Sequence, residues 1–335
     1  MPLITVTEEP DLLNEETLAE PELLQKKKLE QTQFVFVGQH SATKVCGWTK
    51  KALRGEGGCY KQKFYGIQSH QCVQMTPTLT CNHACVFCWR DLNSHTSIKM
   101  GPKLDEPEDI IKGSIKGQLK MIAGFKGSKN ADFTKYAEAQ HVKHFAISLD
   151  GEPTLYPKLS ELIIQLHERG ISTFVVTNGT MPHKVTEFLT TPPTQLYVSV
   201  DAPTKELYEK IDRPMLDDGW QRLMTTLALL PQLREKTRTV IRFTLIKDLN
   251  DQHPEKWAEI IVLAKPMFVE VKSFMWIGHS KERLDLRNMM SHEELKDFAL
   301  EICRHSRYKL VDEHVDSRVV LLMKEDTRDR VMKFK

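Results

Sequence analysis

The sequence predicts an α/β protein, a partial (βα)6 barrel preceded by an extension that carries its own cysteines. Two observations predict it. Short apolar runs alternate six times with amphipathic helical patterns, the signature of a parallel sheet with right-handed crossovers. Every unusual polar or glycine-bearing motif follows one of those runs, which is where barrel proteins keep their working residues. The length of 335 residues and 40% apolar composition supply enough core for such a fold.

The elements follow in order. Residues 1–32 read as a lead-in with a short helix from Glu15 to Glu30. "CVQMTPTL" (72–79) reads as the first strand and "EPEDIIKGSIKGQLKMIAGF" (106–125) as a helix. "HFAISL" (144–149) is a strand, and "YPKLSELIIQLHERG" (156–170) is a helix closed by Gly170. "TFVVTN" (173–178) and "LYVSVD" (196–201) are strands. "TKELYEKI" and "WQRLMTTLALL" are helices. "TVIRFTLI" (239–246), "PEKWAEIIVLA" (254–264) and "FVEVKSFM" (268–275) continue the alternation, and "SHEELKDFALEICRH" (291–305) carries a capping box. The expected organisation is an N-terminal extension (1–45), a cysteine-bearing segment (46–72), the (βα)6 core (73–305), and a C-terminal extension (306–335) of strands packing on the barrel.

Charge and hydropathy exclude several classes. Lys and Arg number 47 against 45 acids, so bulk charge does not point to a nucleic-acid partner. No apolar run is long enough to span a membrane. The acidic N-terminus does not read as a secretory signal, so a cytoplasmic location is expected. Disulfides are disfavoured there, and the seven cysteines need another explanation. Cys303 stands alone and reads as a small buried residue; the other six crowd between Cys46 and Cys88.

"CNHACVFC" (81–88) places Cys81, Cys85 and Cys88 in a C-x3-C-x2-C spacing. Soft thiolates select zinc or iron–sulfur clusters. Structural zinc wants four closed ligands, whereas a cubane on three cysteines leaves one iron open for a small molecule. This motif, with Phe87 before its last cysteine, resembles that of the radical S-adenosylmethionine enzymes. The resemblance implies a [4Fe–4S] cluster whose open iron chelates the amino and carboxylate groups of S-adenosylmethionine, and reductive cleavage to a 5′-deoxyadenosyl radical. It also implies cofactor contacts after the strands: Gly151 and Glu152 in "GEP" for the methionine amino group, Thr177 and Asn178 in "TNG" for the ribose, and Ser199 and Asp201 for the ribose or carboxylate. Asp150 departs from the small residue that many relatives have before the glycine, which bears on the geometry of the amino-group contact.

Cys46, Cys59 and Cys72 are spaced thirteen and thirteen. A zinc site completed by His40 or His70, unconnected core thiols, and a second cluster with another open iron are the readings; the second cluster is preferred. C-x12-C-x12-C ahead of the first motif, with "CYKQKFYGI" (59–67), "CVFCWRD" (85–91) and "GEPTLYP" (151–157), resembles the archaeal-type 4-demethylwyosine synthases over nearly the whole chain. That family is a class of carbon–carbon lyases with two [4Fe–4S] clusters. The resemblance implies condensation of N1-methylguanosine-37 of tRNA-Phe with pyruvate to a tricyclic base, fed by an external electron donor. Lys61, two residues after Cys59, stands where the family places its Schiff-base lysine, and Lys63 is the runner-up. Lys50, Lys51 and Arg54, with Lys112, Lys116 and Lys120 at four-residue spacing, are candidate phosphate contacts. Trp48, Tyr60, Phe64, Tyr65 and Trp89 are candidates to stack the base. The rivals are a radical enzyme acting on a peptide and a non-enzymatic iron–sulfur redox protein, which would need no cofactor rim.

Overall fold

The computed structural model describes residues 20–93 and 96–334; the part of the lead-in helix expected before Glu20 lies outside them. The chain runs α1 (Glu20–Gln31), β1 (Val35–Phe36), β2 (Ala42–Thr43), α2 (Gly47–Leu53), α3 (Tyr60–Tyr65), β3 (Cys72–Thr76), α4 (Pro107–Ile122), α5 (Phe133–Glu138), β4 (His144–Ile147) and α6 (Leu159–Glu168). It continues β5 (Ser172–Thr177), α7 (Pro182–Glu187), β6 (Gln195–Ser199), α8 (Lys205–Ile211), α9 (Gly219–Leu233), β7 (Arg238–Leu245), α10 (Pro254–Ala264), β8 (Phe268–Ser273), α11 (His292–His305), β9 (Lys309–His314) and β10 (Val319–Met323). The helix termini follow local chemistry. Gly170, at φ +68°, ends the turn after α6. The Ser291 hydroxyl accepts from Glu294 N, and the Glu294 carboxylate accepts from Ser291 N, opening α11.

One sheet carries all ten strands, in the order β1 to β8, then β10 and β9. β3 through β8 pair in parallel. Both ends are antiparallel: β2 on β3, and β10 on β8. The segments expected to flank the barrel therefore continue its sheet. Cys72 opens β3, at the start of the first strand read from the sequence, so the cysteine-bearing segment runs directly into the sheet. Backbone pairing merges them, because an unpaired strand edge leaves amide and carbonyl groups exposed.

Strand alternation sorts the sheet into two faces. Val73, Ile147, Val175, Val198, Ile241, Val271 and Val320 belong to the main core, packed with Leu162, Leu227, Trp257 and Leu295 of the helices. The opposite face is mixed. Phe174, Tyr197, Val240, Phe268 and Leu321 pack there against Phe64 and Tyr65 of α3, and the same face holds Arg242 and Glu270, joined at 2.9 Å. Among the described residues, no helix is long and apolar enough to cross a membrane.

Candidate active site and its two cysteine sets

The loop after β3 carries Cys81, Cys85 and Cys88 and is pinned from both sides. Ala84 N and Val86 N donate to Asp212 O and Ile211 O (3.2 and 2.8 Å). The Arg283 side chain donates to the Val86 and Cys88 carbonyls, and His279 N donates to Trp89 O. The three thiols face one another electrostatically. Burial pushes Cys81 up to about 12, with Arg90 pulling the other way and Cys88 adding to the rise. Burial, Asp212 and the other two thiols push Cys85 up as well. Three half-buried thiols that resist ionisation together are a donor set for a soft cation that displaces their protons. The set thus fits an iron–sulfur cluster on three ligands. His83, Cys85 and Asp212 also converge. That group has one thiol, a histidine held neutral by burial with its pKa down to about 3, and a carboxyl pushed up by burial and by Asp201; it suits a metal less well than the three thiols.

The motifs after β4 and β5 are tied to this loop. Gly151 sits at φ +67°, and a Cβ there would meet Thr78 O at 2.1 Å. Glu152 is buried, and its carboxylate is bonded within the protein. Oε1 accepts from Thr154 N, Thr154 Oγ1 and Thr177 Oγ1 (3.0, 2.6 and 2.6 Å), and Oε2 accepts from Asn178 N at 2.7 Å. Asn178 Nδ2 donates to Asn82 Oδ1 at 2.7 Å, inside the cysteine loop. The Glu152 carboxylate thus binds the Thr177 hydroxyl and the Asn178 amide, while the Asn178 side chain binds Asn82, and together they hold three loops in register. Ser199, at the end of β6, is half-buried and makes no side-chain hydrogen bond among the described residues. Asp201 accepts from Thr244 N at 3.1 Å, and burial pushes it up to about 6. Asp150 is likewise pushed up to about 6 by burial, with Arg90 3.6 Å away opposing the rise.

Gly151 yields a direct test. Gly151→Ala combines an unfavourable left-handed φ with a backbone clash, and is expected to cost about 2 kcal/mol or more. Gly101→Ala, with nothing within 4 Å of the added carbon, is the control. Thermal unfolding of both variants decides it: equal midpoints would refute the strain.

The second set lies elsewhere. Cys46 and Cys59 are the N-caps of α2 and α3, and Cys72 opens β3 at the end opposite the first loop. At strand rise, the length of β3 from Cys72 to Thr76 separates the two levels by about 13 Å. Not every site motif shares one rim, then. Ser69 holds Cys59 by donating to its Sγ (3.3 Å) and accepting from its amide (3.0 Å). The three thiols, Lys61, Gln74, Ser148 and Arg242 line a cavity of about 190 Å³. Burial pushes Cys46 and Cys72 up, and neighbouring thiols add to it. The histidines considered as zinc ligands go elsewhere: His40 lies 2.6 Å from Pro77 O and 2.8 Å from Asp105 N, and His70 lies 2.6 Å from Glu138.

Lys61 points into this cavity. Its ammonium lies 4.6 Å from the Tyr197 ring centroid and 5.8 Å from that of Phe174. It makes no hydrogen bond or ion pair among the described residues. Burial first, then Arg242, lowers its pKa, the direction that favours a free amine. Lys63 is corrected as runner-up: its Nζ reaches Asp312 at 2.9 Å and the Glu313 carbonyl at 2.6 Å on the far side of α3. Residues two apart on a helix do not share a face.

The expected nucleic-acid contacts separate. Lys50 donates to Gln33, Lys51 lies over Trp48 and 3.7 Å from Asp316, and Arg54 pairs with Glu56 at 2.7 Å. Lys112, Lys116 and Lys120 are exposed on α4, with Lys112 paired to Glu108. Phe64 and Tyr65 are fully buried and cannot stack a base. Tyr60 accepts from Arg242 at 2.7 Å. Trp48 packs edge-on against His314, and Trp89 against Phe34. Sequence reasoning missed Arg90, Arg242 and Glu270. The usable signal was a charge inside an otherwise apolar strand, as in "TVIRFTLI" and "FVEVKSFM".

The geometry is that of an enzyme with a three-thiol loop at the C-terminal ends of parallel strands. Residues 75–261, more than half the chain, match the family model described as the radical SAM superfamily. Residues 263–324 match one described as wyosine base formation. The chain is 47% identical over 297 residues to the S-adenosyl-L-methionine-dependent tRNA 4-demethylwyosine synthase of Pyrococcus abyssi, covering 88% of this chain and 86% of that one. It is 44% identical to the enzyme of the same name from Pyrococcus horikoshii, covering 96% and 92%. A solved structure of TYW1 with a lysine–pyruvate adduct bound matches with TM-score 0.83 and 36% identity, over 94% of this chain and 99% of that one. The chain is a radical S-adenosylmethionine enzyme. Within that superfamily it belongs to the tRNA 4-demethylwyosine synthases, which form the wyosine base.

Proposed function

We propose that this protein condenses N1-methylguanosine-37 of tRNA-Phe with pyruvate, in the cytoplasm, to give 4-demethylwyosine, with Lys61 holding the pyruvate. The observation that carries the proposal is Lys61 itself: a half-buried amine without a hydrogen-bond or ion-pair partner among the described residues, in the cavity lined by Cys46, Cys59 and Cys72. Support also comes from the relative whose structure has a lysine–pyruvate adduct bound.

Cys81, Cys85 and Cys88 would hold a [4Fe–4S] cluster, and Cys46, Cys59 and Cys72 a second one. With S-adenosylmethionine and an external one-electron donor, the first cluster supplies a hydrogen-abstracting radical, the reagent that an unactivated N-methyl group requires. The chain's residues do the rest. The Lys61 amine attacks the pyruvate ketone, loses water and holds the imine carbon still. The amine lies against the rings of Tyr197 and Phe174. The methyl carbon of the guanine, as a radical, joins that imine carbon. The carboxylate carbon is expelled as a carbon dioxide radical anion, which the external donor reduces to formate. The guanine exocyclic amine displaces the lysine, so that the pyruvate carbonyl carbon enters the new ring and its methyl remains as a substituent. Gly151, Glu152, Thr177 and Asn178 set the cofactor rim through the loop-to-loop bonds, and Ser199 and Asp201 offer polar atoms to it. Lys112, Lys116 and Lys120, with Lys50, Lys51 and Arg54, are the proposed phosphate contacts.

The test is anaerobic reconstitution with iron and sulfide, then incubation with reductant, S-adenosylmethionine, pyruvate and tRNA bearing N1-methylguanosine-37. Mass analysis of the nucleosides should find the tricyclic base with two carbons from labelled pyruvate. 5′-Deoxyadenosine formation with unchanged N1-methylguanosine would overturn this substrate assignment.

A further inference from the structure

Arg242 rises from β7 into the same cavity as Lys61, and nothing in the chemistry above uses it. Its position is unusually well defined. Nε and Nη2 lie 2.9 Å from Glu270 Oε2, and Nη2 also donates to the Tyr60 hydroxyl at 2.7 Å. Glu270 is fully buried, and its other oxygen accepts from the Tyr65 hydroxyl at 2.7 Å. The guanidinium therefore cannot swing away without stranding a buried carboxylate. A guanidinium has five N–H donors in a planar fork. Among the described residues Nη1 has no hydrogen-bond partner, and the Glu270 and Tyr60 bonds leave that edge of the fork unused.

Charge on this face is unbalanced in the same sense. Arg242, Lys61 and Lys272 stand against Glu270. Lys272 is satisfied by the Ser317 carbonyl at 2.7 Å, and Lys61 by no described group. The cavity thus presents cations on two walls, and the Glu270 carboxylate is already shared by Arg242 and Tyr65. Arg242 and Lys61 also share a neighbour: the guanidinium carbon lies 4.8 Å and the Lys61 nitrogen 4.6 Å from one Tyr197 ring centroid. The two cations cannot be farther apart than the sum of those distances. An α-keto acid joined through its carbonyl carbon to a lysine nitrogen, with its carboxylate on the free Nη1, needs about 6 Å between that nitrogen and the guanidinium carbon.

We infer that Arg242 binds the carboxylate of the α-keto acid whose carbonyl carbon is held by Lys61, so that the cavity selects keto acids over neutral ketones and aldehydes. The inference rests on the Lys61 reading. It divides the labour within the cavity: the amine takes the carbonyl, and the free Nη1 of Arg242, with its two N–H donors, takes the carboxylate and fixes the direction of the carboxylate bond. Glu270 and Tyr60 are positioning residues that aim the fork.

The test uses the fully reconstituted protein and borohydride trapping of the imine. The probes are pyruvate and pyruvamide, which share the ketone and the shape and differ in the carboxylate charge. The parent should reach half-maximal trapping at a pyruvate concentration at least about thirty-fold below that for pyruvamide. Arg242→Lys keeps a cation beside Glu270, and with it the fold, but loses the fork; it should narrow the ratio to a few-fold. Arg242→Gln combined with Glu270→Gln removes both buried charges together and should bring the ratio near one. Trapping that distinguishes the probes equally well in the parent and in both variants overturns the role of Arg242 and leaves the carboxylate to the second cysteine set. Equal trapping of the two probes by the parent overturns it as well. Absence of any adduct in the parent is a different failure, that of Lys61 as the amine, and takes this inference with it.

Discussion

Lys61→Ala loses formation of the tricyclic base by about three orders of magnitude or more, because the imine cannot form without the amine. The expected variant keeps its iron, since Lys61 is not among the proposed ligands, and still releases 5′-deoxyadenosine, since the proposed cofactor site is the loop after β3. Borohydride with pyruvate labels the parent on this residue and leaves the variant unlabelled. Lys61→Arg is the sharper control. It keeps the cation over Tyr197 and Phe174 but offers no nucleophile. Lys63→Ala breaks only the pairing with Asp312 and Glu313 on the outer side of α3 and should leave product formation within about two-fold, in line with the small worth of exposed ion pairs. Product at the parental rate from Lys61→Arg would remove the imine from the mechanism.

The second large effect is in iron. The intact protein should bind about eight iron atoms as two four-iron clusters. Replacing Cys46, Cys59 and Cys72 together by alanine should leave about four, preserve cofactor cleavage and abolish base formation. Replacing Cys81, Cys85 and Cys88 should also leave about four, but abolish cofactor cleavage. The opposite behaviour of two variants with equal iron is what separates the roles of the two sets. Metal analysis with Mössbauer spectra reads the outcome. Iron near four in the intact, fully reconstituted protein, with or without zinc, would rule out the second cluster.

Much of the site was readable from local pattern because its parts are local. Three thiols within eight residues must be close in space in any fold. Gly151 was legible for a similar reason: a glycine after a buried strand marks a turn, here one at φ +67° against the Thr78 carbonyl. Glu152 shows where pattern reading stopped. Its place in the motif pointed to backbone contacts with a cofactor and said nothing of its carboxylate, which is occupied by Thr154, Thr177 and the Asn178 amide. Residues from two separate loops supply those donors, and their approach is set by the parallel pairing of β4 and β5.

The aromatic residues around Cys59 make the same point. "CYKQKFY" offers two tyrosines, a phenylalanine and two lysines within seven residues. Helical geometry turns Lys61 toward the cavity and Lys63 toward β9, and it sends Phe64 and Tyr65 into the core. Only the docking of α3 on the sheet's inner face chooses between those directions.

From the order of residues alone came the alternation of strands and helices, the three-thiol loop and the second trio; Lys61 came from the family resemblance. The first three depend on periodicity or on neighbours a few positions apart, which chain connectivity enforces. Tertiary structure alone decided that the second trio lies at the opposite end of β3 from the first, that its cavity opens on the sheet's inner face, and that Arg242 and Glu270 meet Lys61 there. Those contacts join residues up to about two hundred positions apart. They arise because the strands pair in register and one face is filled by helices, leaving the other to gather whatever polar side chains alternate onto it.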